Sequence, residues 1–205
     1  MVAWSPSLAG DQATRPGAGS VRGVPQPELV VLLAEDGAVI GAADKTTVHS
    51  DRTPLHLAFS CYAFDAADRL LVTRRSPAKS TFPGVWTNTC CGHPAPGEPV
   101  DDAVSRRMAH ELELVPHALR LVLPDFRYRA SMAGVEENEL CPVYLCRVDR
   151  EPRPHPDEVS DYRWQPWPNY VRATTADADV SPWSLAQVRA LEGGGLVERF
   201  LAGSS

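Results

Sequence analysis

The sequence predicts an α/β (α+β) sandwich in which a central mixed β-sheet is flanked by helices. Three observations carry that expectation. Strand-like runs separated by turn residues fill the chain before residue 90. One strongly periodic helical segment follows, over Val100–Leu112. A second strand-rich stretch then gives way to a helix beginning at Ser181. That order of elements fits layers of helix packed on a mixed sheet.

The elements follow in chain order. Residues 1–27 are rich in Gly, Pro, Ala and Ser, bury little, and read as a disordered leader before a single domain at 28–202. Leu29-Val30-Val31-Leu32-Leu33 is a strand, Asp36-Gly37 a hairpin turn, and Ala38-Val39-Ile40 its return. Residues 55–64 carry Phe59, Tyr62 and Phe64 and read as a strand. After a turn at 65–69, Leu70-Leu71-Val72-Thr73 reads as another, and 86–89 as a short one. In Val100–Leu112 the residues Val100, Val104 and Met108 step by four, and Ala109 and Leu112 widen the stripe. Pro99 falls at the first turn, Asp101 and Asp102 suit the positive end of the helix dipole, and Pro116 ends any continuation. Residues 119–128 and 140–148 read as strands around a turn at Ala133-Gly134. Ser181 caps a helix over 181–191 with Pro182 at its first position, and Gly193-Gly194-Gly195 stops it before a last short helix to Leu201.

Composition narrows the function. The chain has 205 residues, with 20 Lys and Arg against 26 Asp and Glu, a net charge of −6. That balance argues against a nucleic-acid binder, though a locally basic pocket for an anion is compatible with it. The longest apolar run is strand-sized, so no membrane helix is expected. The five cysteines are odd in number, two are adjacent, and no secretory segment precedes them. A reducing cytoplasm is the expected setting, and a monomer or weak dimer the expected state.

Three segments concentrate reactive side chains: His49 to His56, Thr87 to Pro94, and Glu136 to Pro142. In an extended chain Glu137 and Glu139 point to one face. Adjacent carboxylates repel unless a shared proton or a cation joins them; the alternative is a solvated charged edge. His49, His56 and His93 supply imidazoles. Cys91 and His93 stand two apart, but no second Cys or His pair at zinc-ribbon spacing accompanies them. Cys61, Cys90, Cys141 and Cys146 read as small buried hydrophobes. Cys91 differs, because Gly92 after it lets backbone or ligand approach closely.

Gly92, Glu98 and Arg106 are separated by five and seven residues. This spacing resembles the opening of a Nudix box, a loop–helix–loop that holds a metal-bound diphosphate. The helix departs from that pattern: Arg107 and His110 stand where glutamates belong, Glu111 is kept, and Glu113 replaces the closing glycine. Ala103, Arg107 and Glu111 share one helix stripe. They read either as part of a diphosphate site or as an i,i+4 surface ion pair worth about 0.5 kcal/mol.

Several motifs in order then become specific. They are His56-Leu-Ala-Phe-Ser60, Leu71-Val-Thr-Arg-Arg75, Pro83-Gly-Val-Trp-Thr-Asn88, Cys91-Gly-His-Pro94, Pro124-Asp-Phe-Arg-Tyr-Arg-Ala130, Glu137-Asn-Glu139, Cys141-Pro142 and Ser181-Pro-Trp183. Together, over about residues 28–190, they resemble the type 1 isopentenyl-diphosphate isomerases. The resemblance implies a Nudix-like sandwich that moves a double bond through a tertiary carbocation rather than hydrolysing a diphosphate. It implies that His49, His56, His93, Glu137 and Glu139 bind one divalent metal, a donor set that suits Mn²⁺ or Zn²⁺ better than Mg²⁺. It implies that Glu111 and the Cys91 carbonyl reach a Mg²⁺ on the isoprenoid diphosphate substrate, and that Lys45, Arg75, Lys79 and Arg107 cradle that diphosphate. Cys91, Glu139 and Tyr128 resemble the catalytic groups and Trp183 the aromatic wall. Two other readings compete: a Nudix-type diphosphohydrolase, which needs a complete glutamate cluster, and a metal-binding or redox module built on Cys90-Cys91-x-His93.

Overall fold

A computed structural model describes residues 28–176 and 179–203; the expected leader, 1–27, lies outside them. The chain begins as an antiparallel hairpin, β1 (Leu29–Leu33) and β2 (Val39–Asp44). Its turn closes as the Asp-Gly pair predicts, with Gly37 at φ +87° and the Asp36 carboxylate accepting from the Ala38 N–H at 3.0 Å. One helical turn, α1 (Lys45–Val48), follows and is capped by Asp44. Then come β3 (His56–Leu57), β4 (Phe59–Phe64), β5 (Arg69–Arg75), β6 (Trp86–Thr87) and β7 (Cys90–Gly92). After α2 (Val100–Leu112) the strands are β8 (His117–Leu123), β9 (Arg127–Met132), β10 (Val135–Leu140), β11 (Val143–Arg147) and β12 (Val159–Pro166). The described chain closes on α3 (Trp167–Ala176), α4 (Pro182–Gly193) and α5 (Leu196–Leu201).

The architecture is α+β, and its mixed sheet is divided in two. One sheet runs β2-β1-β3-β10-β9 and the other β12-β5-β4-β11-β8, with β6 on β5 and β7 on β4. The parallel pairs β3·β10 and β4·β11 are one long pairing interrupted on both chains, at Ala58 and at Cys141-Pro142. Backbone bonds span the seam: Ala58 N donates to Leu140 O at 2.9 Å, and Ser60 N to Pro142 O at 3.0 Å. Pro142 has no N–H to give to a ladder, so the strand stops and restarts there. The run expected at 55–64 is therefore two strands in two sheets. That expected at 140–148 is the end of β10 and then β11. The run at 119–128 is likewise broken between β8 and β9, and that at 86–89 is strand only over β6, with β7 starting beyond it at Cys90.

The central strands of the seven-stranded sheet are buried on both faces. From β4, Phe59, Cys61 and Ala63 face α2 and pack with Val104, Met108 and Leu112. The alternate residues Tyr62 and Phe64 face α3, α4 and α5 and pack with Trp167, Tyr170, Leu191 and Phe200. Because both faces are covered, β4 reads as a continuous apolar run rather than as an alternation. Fully burying Met108 or Leu112 is worth about 1.5–3 kcal/mol each. At the end of α2, Glu113 adopts the left-handed conformation itself, φ +53°, and its N–H reaches Ala109 O. The helix thus closes without the expected glycine, at a backbone cost of about 1–2 kcal/mol. All five cysteines are free. No helix among the described residues is long and apolar enough to cross a membrane.

Candidate active site

A cavity of about 310 Å³ opens where the two sheets meet, against the N-terminal half of the chain and α2. Its walls include Lys45, His49, Arg75, Lys79, Cys91, His93, Arg107, Tyr128, Glu137, Glu139 and Trp183. His56 lies behind this wall, fully buried, and contacts the same cluster. Of the residues expected at the site, Glu111 alone is neither on the wall nor in that cluster.

The imidazoles and carboxylates form the floor. Register explains their meeting: Glu139 of β10 stands opposite His56 on β3 and Tyr128 on β9. Glu137, two residues earlier, shares the face of Glu139, and Asn138 turns away to donate to Thr53 O at 3.1 Å. His56 Nδ1 lies 3.0 Å from Pro54 O and His49 Nδ1 3.3 Å from Lys45 O. Those carbonyls take the Nδ1 protons and leave both Nε2 lone pairs facing the cluster. His56 Nε2 is 3.2 Å from His93 Nε2, which is itself 3.2 Å from Glu139 Oε1. Ligand atoms of His49, His56, His93 and Glu137 all lie within 4.8 Å of one another.

This arrangement fits a divalent cation. His49 Nε2 and Glu137 Oε2 are buried and only 3.0 Å apart, yet neither has a hydrogen-bond partner. Two unpaired lone-pair donors aimed into one space are costly unless something positive joins them. Burial also pushes the His93 imidazole below its usual pKa, keeping it in the neutral form that ligates metals. Burial works to raise the Glu139 carboxyl, but the neighbouring His56 and His93 imidazoles outweigh it and hold the group well below the usual range. Glu139 is not within the compact set of four; its Oε1 lies 3.6 Å from His56 Nε2 at the edge.

Cys91 occupies the opposite sheet, on β7. Alternation along β7 places Cys90 in the core, 1% exposed, and Cys91 on the cavity. The Cys91 thiol donates to Asn88 Oδ1 at 3.1 Å and lies 3.4 Å from Ser60 Oγ. Behind it runs a buried chain: Tyr62 O–H donates to Gln187 Oε1 at 2.7 Å, and Gln187 Nε2 to Ser60 Oγ at 2.9 Å. Burial pushes the thiol up to about 11, against the opposing influence of Ser60, Arg75 and Asn88. Trp183, 3% exposed, is fixed by its Nε1 on Thr87 Oγ1 and Asn88 Oδ1, at 3.0 and 3.1 Å. Its ring centre stands 5.7 Å from that of Tyr128. Burial, and then the charge of Glu139, push the Tyr128 hydroxyl well above its usual pKa. Ser60 and Asn88 stand in the sequence motifs without an assigned role, and Gln187 stands in none; their links to the thiol arise only across the fold.

The cations occupy the remaining wall. Lys45 pairs with Glu28 at 2.9 Å. Arg75 turns its Nε and Nη2 onto the carbonyls of Thr81 and Phe82, at 2.7–3.2 Å. It thereby braces a loop in which Phe82 has φ +46°. Lys79 and Arg107 share Glu158, a residue the sequence reading passed over. Arg107 also donates to Glu111 Oε1, from Nε at 3.0 Å and Nη2 at 2.5 Å. The i,i+4 pair is therefore real but buried, with side chains 6% and 8% exposed. Removing one partner would strand a buried charge, so the surface value of about 0.5 kcal/mol does not apply.

Gly92 lets α2 approach β7. A Cβ there would lie 2.9 Å from Arg107 Cγ and 3.1 Å from Phe59 Cζ. Gly92→Ala is expected to cost about 1–3 kcal/mol of stability through overpacking, read as a lowered unfolding midpoint. An unchanged midpoint would mean that both neighbours yield freely.

Comparison with known proteins gives four findings. A NUDIX domain model matches residues 54–184. The Isopentenyl-diphosphate Delta-isomerase of Mycolicibacterium vanbaalenii is 55% identical over 173 residues, covering 84% of this chain and 96% of that protein. The protein of the same name from Saccharopolyspora erythraea is 52% identical over 166 residues, 80% of this chain and 86% of its own. Among solved structures, a Deinococcus radiodurans protein superposes with a TM-score of 0.64 at 21% identity, over 80% of this chain and 98% of that one, a likeness of fold.

Proposed function

From the premise that this chain belongs to the isopentenyl-diphosphate Delta-isomerases and carries a NUDIX domain, we infer how its cavity performs their reaction. The reaction converts isopentenyl diphosphate to dimethylallyl diphosphate. One observation carries the assignment of residues. A thiol, a histidine-braced carboxylate, an indole and four cationic side chains line a single cavity of about 310 Å³.

The chemistry needs a proton delivered to the terminal alkene carbon, a tertiary cation held briefly, and a proton removed from the neighbouring methylene. Cys91 and Glu139 are the proton-transfer pair in this reading. At neutral pH the buried thiol keeps its proton and Glu139 is ionised. One of the pair gives a proton to the substrate and the other takes one, and the pair must return to its starting state before the next turnover. Ser60 Oγ can donate to the thiolate form, whereas Asn88 Oδ1 only accepts and holds the thiol. Tyr128, beside Glu139 in register, offers a hydroxyl that stays protonated. The Trp183 ring gives the cation a π face, worth about 2 kcal/mol where water is excluded. Lys45, Arg75, Lys79 and Arg107 hold the diphosphate, the lysines as point charges and the arginines by the guanidinium donors not given to Thr81, Phe82 and Glu111.

A divalent ion would be held by His49, His56, His93 and Glu137, with Glu139 at its edge, and would supply fixed positive charge beside the Glu139 carboxylate. The donor set favours Mn²⁺ or Zn²⁺. Mg²⁺ enters with the diphosphate as part of the substrate. For Glu111 to meet it beside the Cys91 carbonyl, Glu111 must release Arg107. Free thiols in a buried site suit a reducing cytoplasm.

The test is proton NMR of isopentenyl diphosphate with the protein and Mg²⁺ in D₂O. Deuterium-bearing dimethylallyl diphosphate is expected. Release of phosphate or pyrophosphate without isomer would make the chain a diphosphohydrolase instead.

A further inference from the structure

The cradle assigned to the diphosphate already holds an anion of the protein's own. Glu158 sits in the turn before β12, its backbone fixed at both ends: its N–H donates to His155 O at 3.0 Å, and its carbonyl accepts from Ser76 N at 2.9 Å. Its side chain is 15% exposed and lines the cavity. Oε1 lies 3.0 Å from Arg107 Nη2, and Oε2 makes a short contact with Lys79 Nζ. Both cations are thus occupied from the cavity side. Glu111, the other partner of Arg107, pairs from behind and is absent from the cavity wall. A phosphate oxygen that takes the Lys79 and Arg107 donors now facing Glu158 takes the place of its carboxylate. The outer neighbour of that carboxylate is His110, 51% exposed, with Nε2 at 3.6 Å from Oε1. A turn of the side chain toward it would carry the carboxylate out of the cavity without moving its pinned backbone.

We propose that Glu158 is a specificity-determining residue: a resident counter-anion that the substrate must displace, making the site select a diphosphate over a monophosphate. The proposal rests on the reading of this wall as the diphosphate site. A single phosphate exchanged for a carboxylate at Lys79 and Arg107 swaps one set of charge-assisted bonds for another and gains little. A diphosphate makes the same exchange and extends a second phosphate toward Lys45 and Arg75, where the competition is weaker. Lys45 is paired with Glu28 at 2.9 Å, but that carboxylate is 47% exposed, and Arg75 is held by the carbonyls of Thr81 and Phe82 rather than by a carboxylate. The displaced carboxylate therefore sets a threshold that two phosphates cross and one does not.

Calorimetric titration of the full chain with inorganic pyrophosphate and with inorganic phosphate tests this, comparing the parent, Glu158→Gln and Glu158→Asp. Glu158→Gln keeps the size and removes the charge. It is expected to bind phosphate about tenfold tighter, as the loss of one competing charge at close range implies, and pyrophosphate tighter by less, so that selectivity falls. Glu158→Asp retains the charge but draws it back by one methylene, and an intermediate tightening is expected. This second variant keeps the test readable if the first does not fold. Unchanged or weaker binding of both anions by the variants, with normal pyrophosphate binding by the parent, would overturn the proposal and leave Glu158 a brace for Lys79 and Arg107. Failure of the parent itself to bind pyrophosphate would overturn the diphosphate site and the proposal together.

Discussion

Cys91→Ala is expected to lower turnover by about 10²–10⁴-fold, the usual loss when a proton-transfer group is removed, while Cys90→Ala keeps most of it. The two thiols are adjacent in sequence and opposite in fate. Cys90 packs among Phe59, Met108 and Cys146, and burial pushes its pKa well up. Truncating it removes one small buried group, about 1 kcal/mol of stability. Cys91 faces the cavity and is held by Asn88 and Ser60. Asn88 survives its loss intact, since its amide still donates to the carbonyls of Cys61 and Cys90 at 3.0 Å and its oxygen still accepts from Trp183. The scaffold should therefore stand while the reaction stops. Initial rates of dimethylallyl diphosphate formation, with unfolding midpoints for both variants, check the expectation. Equal and mild losses in the two would remove Cys91 from the reaction.

His56→Ala should produce the second large effect, on metal rather than rate. His56 is fully buried, and the Pro54 carbonyl commits its Nδ1 proton. Its Nε2 has no role left except to face His93, Glu137 and Glu139, at 3.2, 3.9 and 3.6 Å. Loss of a group that merely orients a ligand already costs about 10–100-fold in metal affinity, so loss of the ligand itself should cost at least that. Elemental analysis after dialysis against Mn²⁺ or Zn²⁺ should find the variant depleted. His117→Ala is the control, because His117 pairs with Asp149 at the surface and touches none of these residues. A full complement of metal in the dialysed His56→Ala protein would place the site elsewhere.

Local patterns carried much of this in the sequence, and long-range pairing hid the rest. The α2 stripe of Val104, Met108 and Leu112 is legible because helical burial repeats within one segment. The Asp36-Gly37 hairpin and the shared face of Glu137 and Glu139 are legible for the same reason. The seam at Ala58 is not, because only pairing with β10 and β11, about 80 residues away, divides one apolar run between two sheets. β12 and α3 went unread: β12 is a half-exposed strand with Asp161, Arg163 and Gln165 on one face, and α3 begins with Trp167-Pro168, which mimics a turn. The site residues tied to the motif resemblance meet at one cavity, apart from Glu111. Glu28 and Glu158 sit in no motif, and their roles arise only from the cations they meet across the fold.

The order in which these residues appear along the chain has a consequence for synthesis. The imidazole and carboxylate donors have all been synthesised once residue 139 is in place, from the end of α1, β3, the segment after β7, and β10. Trp183 and Gln187, which cover and brace the thiol, follow more than 40 residues afterwards. At about 5–20 residues per second, that is an interval of seconds. During it the nascent chain carries every donor of the ion site but neither residue that covers and braces Cys91. Cys91 thus stays without its Trp183 and Gln187 neighbours until the C-terminal helices arrive, and it still faces the cavity once they have.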